Sequence, residues 1–248
     1  MKEIIKVNDL NYKIFHNFNI SFNKDEFTTI SGSNKCGKTL LLRILIRKIL
    51  LNEDININNK NINEYTNKDL YNMIGLISKE EVIFKEETVL NELKDTITNT
   101  NEIINKYNLQ SIKNKLIKEL SIKESIYLYL IINILKEKEI LLIDNIDNYY
   151  TKEEMINIIK ILNTYKHTII MTITNLDYSI NSNYLYIIKK GKIVLSGTPN
   201  YVLQNDNIIN KVGLDLPFMY DISVKLQDYN LIDDIELDID RMVNILWK

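Results

Sequence analysis

The eight residues Gly32-Ser33-Asn34-Lys35-Cys36-Gly37-Lys38-Thr39 constrain this chain more than any other stretch. They fit the pattern G-x-x-x-x-G-K-[ST] in full. Before them runs FTTIS, and after them LLLRILIRKIL, whose apolar residues recur at helical spacing. Strand, glycine-bearing loop, helix is the order in which backbone N–H groups can turn inward around phosphate oxygens. The following helix aims its positive end at the same point. Lys38 is placed to reach the β- and γ-phosphates of a nucleoside triphosphate, and the Thr39 hydroxyl to hold Mg²⁺. A chance glycine loop would carry neither the full pattern nor its flanking elements.

A second signal lies more than a hundred residues on. ILLIDN ends an apolar run on Asp144 and follows it with Asn145. An acid at the end of a buried strand is the carboxylate that phosphate-loop enzymes place near their metal. Asn145 stands where hydrolysis wants a second acid, and an amide cannot take a proton from water near neutral pH. Losing a positioned general base lowers a rate by roughly 10² to 10⁴-fold. The sequence therefore keeps the residues that bind phosphate and lacks one that hydrolysis needs.

Periodicity supplies the frame. From Ile4 to Gly32 apolar and polar residues alternate as in antiparallel strands with one buried face. MIGLIS (73–78), EILLIDN (139–145) and HTIIMTIT (167–174) read as buried strands, and YLYIIKKGKIVLSG (184–197) as a hairpin turning on Lys190-Gly191. Thr88 to Lys138 reads helical, YVLQN after Pro199 also, and from Gly213 on come helix and strand fragments. Buried strands alternating with helices predict an α/β fold with a parallel sheet.

At 248 residues, 45% hydrophobic, the chain is long enough for a sizeable core. Its net charge of −2 argues against a nucleic-acid partner, which needs a concentrated basic face. The single Cys36 excludes a disulfide framework and fits a reducing, cytosolic setting. No apolar run reaches the roughly 20 residues that span a bilayer, and no signal peptide is evident. Alanine is absent and there are only six Gly and three Arg, a bias read as drift toward a skewed codon supply. Each surviving glycine is correspondingly informative.

With those residues in hand, the chain resembles the ATP-binding subunits of ABC transporters over nearly its whole length. The loop at 32–39, Met73–Ser78, Leu120-Ser121, the strand ending at Asp144, ITN at 173–175 and KKGKIVLSGTP at 189–199 stand in family order. VGLDLPFMYDISVKL (212–226) resembles the C-terminal extension of energy-coupling-factor (ECF) importers. The resemblance implies a P-loop NTPase fold with a parallel core sheet, an N-terminal antiparallel β subdomain, a helical subdomain and a small C-terminal extension. The implied division is an ATP-binding domain over 1–205, with its helical part at about 80–138, and the extension over 206–248.

The resemblance also assigns positions. Gly32 to Thr39 would bind ATP, and Thr39 and Asp144 would hold Mg²⁺. Tyr12 would stack on adenine, or be an ordinary strand-face aromatic. The family's glutamine falls on Lys79 and its LSGGQ signature on Leu120-Ser121-Ile122-Lys123-Glu124, where Ser121 would still meet ATP but both glycines are gone. The general base falls on Asn145 and the γ-phosphate-sensing histidine on Asn175. Neither His16 nor His167 fits that role. Cys36, just before a helix N-terminus, is expected to carry a lowered pKa and a reactive thiolate.

The function so implied is an ATP-binding subunit that hydrolyses weakly by itself. It would pair with a second, better-preserved ATPase subunit to drive a membrane coupling protein from the cytoplasmic face of the membrane. A soluble nucleotide-binding adaptor, as in iron–sulfur assembly, would lack the membrane partner. A small-molecule kinase would need an arginine cluster that Arg43, Arg47 and Arg241 do not supply. A chromosome-maintenance ATPase would need long heptad arms.

Overall fold

The computed structural model describes residues 2–237 and 239–247. The alternating start forms β1 (Glu3–Tyr12) and β2 (Phe15–Asn23). Asp9 takes a left-handed conformation, and the pairing register shifts there, so the inward positions step from Val7 to Leu10. Next come β3 (Phe27–Gly32), buried along its whole length, and α1 (Lys38–Leu45). They are followed by β4 (Asp54–Ile57), β5 (Lys60–Asn61), α2 (Asn67–Met73) and β6 (Ile74–Ile77). Three helices, α3 (Val89–Thr96), α4 (Thr100–Lys106) and α5 (Ile122–Leu135), precede β7 (Ile140–Asp144). Then come α6 (Lys152–Thr164), β8 (Thr168–Thr172) and the hairpin β9 (Tyr184–Lys189) and β10 (Lys192–Gly197). The last helices are α7 (Pro199–Leu203), α8 (Asp206–Val212), α9 (Phe218–Asp228) and α10 (Ile239–Leu246).

Two sheets result. One is antiparallel, in the order β2-β1-β4-β5. The other runs β10-β9-β3-β8-β7-β6 and is parallel throughout except for the β9–β10 hairpin. This is the expected α/β architecture, with a parallel core sheet and an antiparallel sheet built from the chain's start. The strand period of two divides the core. Leu141, Ile143, Ile169 and Met171 pack with residues of α5 and α6 on one face. Ile140, Leu142 and Ile170 pack with α1 and the antiparallel sheet on the other. A third cluster joins Leu185 and Ile187 of β9 to Val202, Leu203, Ile209 and Tyr220 of the C-terminal helices. Among the described residues, no helix is long and apolar enough to cross a membrane.

Three stretches depart from the periodicity. The helix expected through Leu50 stops at Leu45, because Arg47 turns left-handed and its guanidinium donates to the carbonyls of Ile62 and Tyr65 at 2.9 and 2.7 Å. The helical reading of 88–138 is interrupted after α4. Asn108 takes φ +53, and a run of turns over 110–114 then brings Leu116 to bridge Thr88. From Gly213 on, the described residues form helices and no strand. Instead the Ser223 hydroxyl accepts from Glu236 N at 3.1 Å, which ties down the turn before α10.

Candidate functional site

β3 delivers the chain to Gly32 at φ +154, beside β9, and a Cβ there would lie 2.0 Å from the Ile188 carbonyl oxygen. Gly37 stands at φ +112 with the Phe15 ring 2.8 Å from where its Cβ would be. Both glycines are thus dictated by close packing as well as by backbone conformation. Between them the loop closes on itself through Cys36 N to Ser33 O at 3.2 Å, with Lys35 left-handed at φ +61. The Gly191 N–H of the β9–β10 turn braces it by donating to Cys36 O at 3.1 Å. Lys38 is the first residue of α1 and only 6% exposed. Its ammonium folds back into the loop and donates to Gly32 O at 2.7 Å. The loop opens on a cavity of about 580 Å³, which Lys13, Ile14, Arg43, Asn145, Asn148 and Thr174 also line.

Strand register brings the carboxylate in. Asp144 pairs with Thr172 across β7 and β8, and Thr172 with Ile30 across β8 and β3, so Asp144 ends level with the loop. One oxygen of Asp144, Oδ1, accepts three donors: the Thr172 hydroxyl at 2.7 Å, the Thr39 hydroxyl at 3.1 Å and the Asn145 amide Nδ2 at 2.8 Å. Burial pushes the Asp144 carboxyl up from its ordinary pKa, and the two hydroxyl bonds oppose that shift. Asn145 is held left-handed at φ +46 by its own N–H, which donates to the Thr172 hydroxyl at 2.9 Å. Its Nδ2 also reaches Thr39 Oγ1 at 3.4 Å, while its Oδ1 is buried with no hydrogen-bond partner.

The next turn fixes the segment after β8. Asp147, 8% exposed, accepts on Oδ2 from Thr174 N at 2.7 Å, Thr174 Oγ1 at 2.6 Å and Asn175 N at 3.2 Å. Sequence reasoning passed over both Asp147 and Thr172. Asn175 uses its side chain to cap the turn that follows it, accepting from Asp177 N at 2.8 Å.

The other positions singled out in the sequence lie outside this cavity. Tyr12 ends β1 half-buried against the core of the antiparallel sheet with Lys13 above its ring, and the cavity is lined by Lys13 and Ile14 rather than Tyr12. Ser121 is outside the cavity lining and caps α5 in a reciprocal pair with Glu124. Lys79 is exposed just after β6, His16 is exposed on β2, and His167 packs on Tyr165. The reactive thiolate expected of Cys36 is not what the structure has. Cys36 is 2% exposed, and burial pushes its thiol up, outweighing the opposing charge of Lys38.

The residues present fit a magnesium–nucleotide pair. The Thr39 hydroxyl and the Asp144 carboxylate converge, and an unpartnered buried acceptor, Asn145 Oδ1, lies beside them. Among the described residues no group of three or more Asp, Glu, His or Cys could hold a metal. A cation here would have to complete its shell with oxygens of the bound phosphate and water, as Mg²⁺ does.

Comparison with known proteins agrees with this geometry. The ABC transporter family model matches residues 15–148, from β2 through the Asp144 strand. The energy-coupling factor transporter ATP-binding protein EcfA of Pediococcus pentosaceus is 23% identical over 97% of this chain and 95% of its own length. EcfA1 of Clostridium novyi is 36% identical over a shorter match, which spans 39% of this chain and 35% of the relative. The solved structure of cbiO1 from Clostridium perfringens, part of the ABC transporter complex cbiONQ, superposes with a TM-score of 0.70. That match covers 88% of this chain and 97% of the other at 21% identity, a likeness of fold. The loop, the sheet order and the family match lead to one assignment: the chain belongs to the ABC transporter family, as an ATP-binding domain.

Proposed function

We propose that this chain is the ATP-binding subunit of an ECF-type importer, holding MgATP at residues 32–39 with weak hydrolysis of its own. It works paired with a second ATPase subunit and drives a membrane coupling protein from the cytoplasmic face of the membrane. Family membership implies ATP binding, usually with Mg²⁺, and relatives matched along nearly the whole chain carry the ECF name.

In this reading the loop N–H groups and Lys38 bind the phosphates, while Thr39 and Asp144 hold the metal. The metal would screen phosphate charge. The observation that carries the weak hydrolysis is the Asn145 side chain, whose amide donates toward Asp144 at 2.8 Å where the family's base would accept a proton. Asn175, spent on capping the next turn, supports the same conclusion. A protein partner is supported by a groove lined by Leu70, Leu76, Tyr129 and the exposed Tyr71 and Ile83 (59% and 69%). The division into an ATP-binding domain over 1–205, helical at about 80–138, and an extension over 206–248 belongs to the same proposal.

The test is nucleotide binding and turnover of the purified chain. It should bind MgATP and release phosphate far below about 1 per second, and Lys38→Ala should abolish binding, because the ammonium meets the phosphate charge directly. Turnover within the common enzyme range of about 1 to 10³ per second would overturn the proposal.

A further inference from the structure

Asn145 makes contacts that a glutamate at that position could not make. A carboxylate next to Asp144 has only acceptors to offer and would repel it unless a cation stood between them. The amide offers donors. Its Nδ2 reaches both Asp144 Oδ1 at 2.8 Å and Thr39 Oγ1 at 3.4 Å, the two oxygens proposed to hold Mg²⁺. With the hydroxyls of Thr39 and Thr172 on the same Oδ1, that oxygen already has three donors. Its charge is met by hydrogen bonds from inside the protein. The amide cannot turn over cheaply, because the reversed orientation would set Asn145 Oδ1 against the carboxylate. Its present orientation even tolerates a buried Oδ1 without a partner.

We infer that the Asn145 amide competes with Mg²⁺ for Asp144 and Thr39, so that this site takes a nucleoside triphosphate with little dependence on the metal. The inference rests on the proposed ATP site and goes beyond it. Loss of the base alone would leave metal dependence intact, whereas an amide bonded to both metal ligands reduces it. The phosphates are then held by the loop N–H groups, the start of α1 and Lys38, which need no metal to be in place.

The probe is a fluorescent ATP analogue titrated into the full-length chain with Mg²⁺ or with EDTA. For the wild type the two affinities should agree within about threefold. Asn145→Asp keeps the shape and replaces the donor by an acceptor. Asn145→Gly removes the side chain and suits the φ of +46. In both, Mg²⁺ should tighten binding by about tenfold or more, the weight of a hydrogen bond to a charged group. Binding of Mn²⁺ to the nucleotide-loaded chain, read by electron paramagnetic resonance, should strengthen in the same two variants. A wild type that Mg²⁺ tightens by about tenfold or more, unchanged by either substitution, would overturn the inference and leave the ATP site standing. Weaker Mn²⁺ binding in the variants would also overturn it, because Asn145 would then be a metal ligand. A wild type that binds the analogue under neither condition would overturn the ATP site itself.

Discussion

Asp144 is half-buried and Asp147 buried, and each gathers three donors on one oxygen. Asp144 gathers them at the loop. Asp147 gathers them from the segment after β8, which ties Thr174 and Asn175 to the turn that follows Asn145. Asp147→Ala should leave two N–H groups and a hydroxyl without their acceptor and lower stability by about 2–3 kcal/mol, read as a lower urea midpoint. Asp147→Asn, which retains one acceptor oxygen, should recover part of that. A loss below about 0.5 kcal/mol, as for an ordinary surface substitution, would mean the carboxylate is not what holds the turn. The contrast shows what a sequence reveals at this scale. Gly32, Gly37, Lys38 and Thr39 are legible because the loop's demands are local and spaced along the chain. Thr172 and Asp147 are not, because they act across strand register between segments some 27 or 28 residues apart. Cys36 departs from expectation for a related reason. Helix proximity is visible in sequence, but the burial that outweighs it is not.

Elements follow the same rule. The antiparallel start is legible from period two, the core strands from their apolar runs, the parallel sheet from their alternation with helices, and the hairpin on Lys190-Gly191 from its glycine. The short β4 and β5 carry no such signal. Helix ends were less so: α1 stops where Arg47 finds carbonyls from a segment 15 to 18 residues away, which periodicity cannot register. The start of α5 is set by a local pattern, Ser121 with Glu124, in which each side chain bonds the other's backbone N–H. Lys115 donates to Glu124 at 2.7 Å, and that bond, followed by the one from Ser121 N, holds the Glu124 pKa near about 2 rather than 4.5. A carboxylate lowered on folding adds stability above its unfolded pKa and loses it as pH falls through the folded one. Glu124 therefore supports α5 fully above about pH 4.5 and progressively less toward about pH 2. Glu124→Gln should be less stable than wild type at pH 7, with the difference closing across that acid window in urea titrations. Parallel acid profiles for the two chains would show that the ion pair with Lys115 contributes nothing to the helix start.

At the scale of the whole molecule, the start of α5 decides how the proposed assembly works. In ABC ATPases each ATP lies between the loop of one subunit and the signature of the other, and the proposed counterpart of that signature here is Leu120-Ser121-Ile122-Lys123-Glu124. Ile122 is 46% exposed where the family has glycine, and Lys123 is drawn away to Glu154 at 2.6 Å, with Tyr150 donating to its carbonyl at 2.7 Å. A homodimer would hold two sites, each lacking base, histidine and signature glycines, and could hardly power transport. Pairing with a well-preserved subunit makes two unequal sites. One would use this chain's loop and the partner's signature, and retain ATP because Asn145 cannot act as base. The other would use the partner's loop and base, closed by Ser121-Ile122-Lys123, and carry what turnover there is. The expected assembly is therefore an obligate heterodimer whose hydrolysis is limited by this signature. Glycine at 122 and 123 would free the backbone for closer approach and remove the Lys123–Glu154 pair. Two glycines in the first turn of α5 cost up to about 1 kcal/mol each, which is tolerable in a helix anchored in the core. Ile122→Gly with Lys123→Gly should raise the heterodimer's ATPase rate several-fold, whereas Asn145→Glu alone should change it little, since that residue serves the retaining site. A large gain from Asn145→Glu alone would mean that turnover runs through this chain's own loop and that the two sites have been assigned the wrong way round.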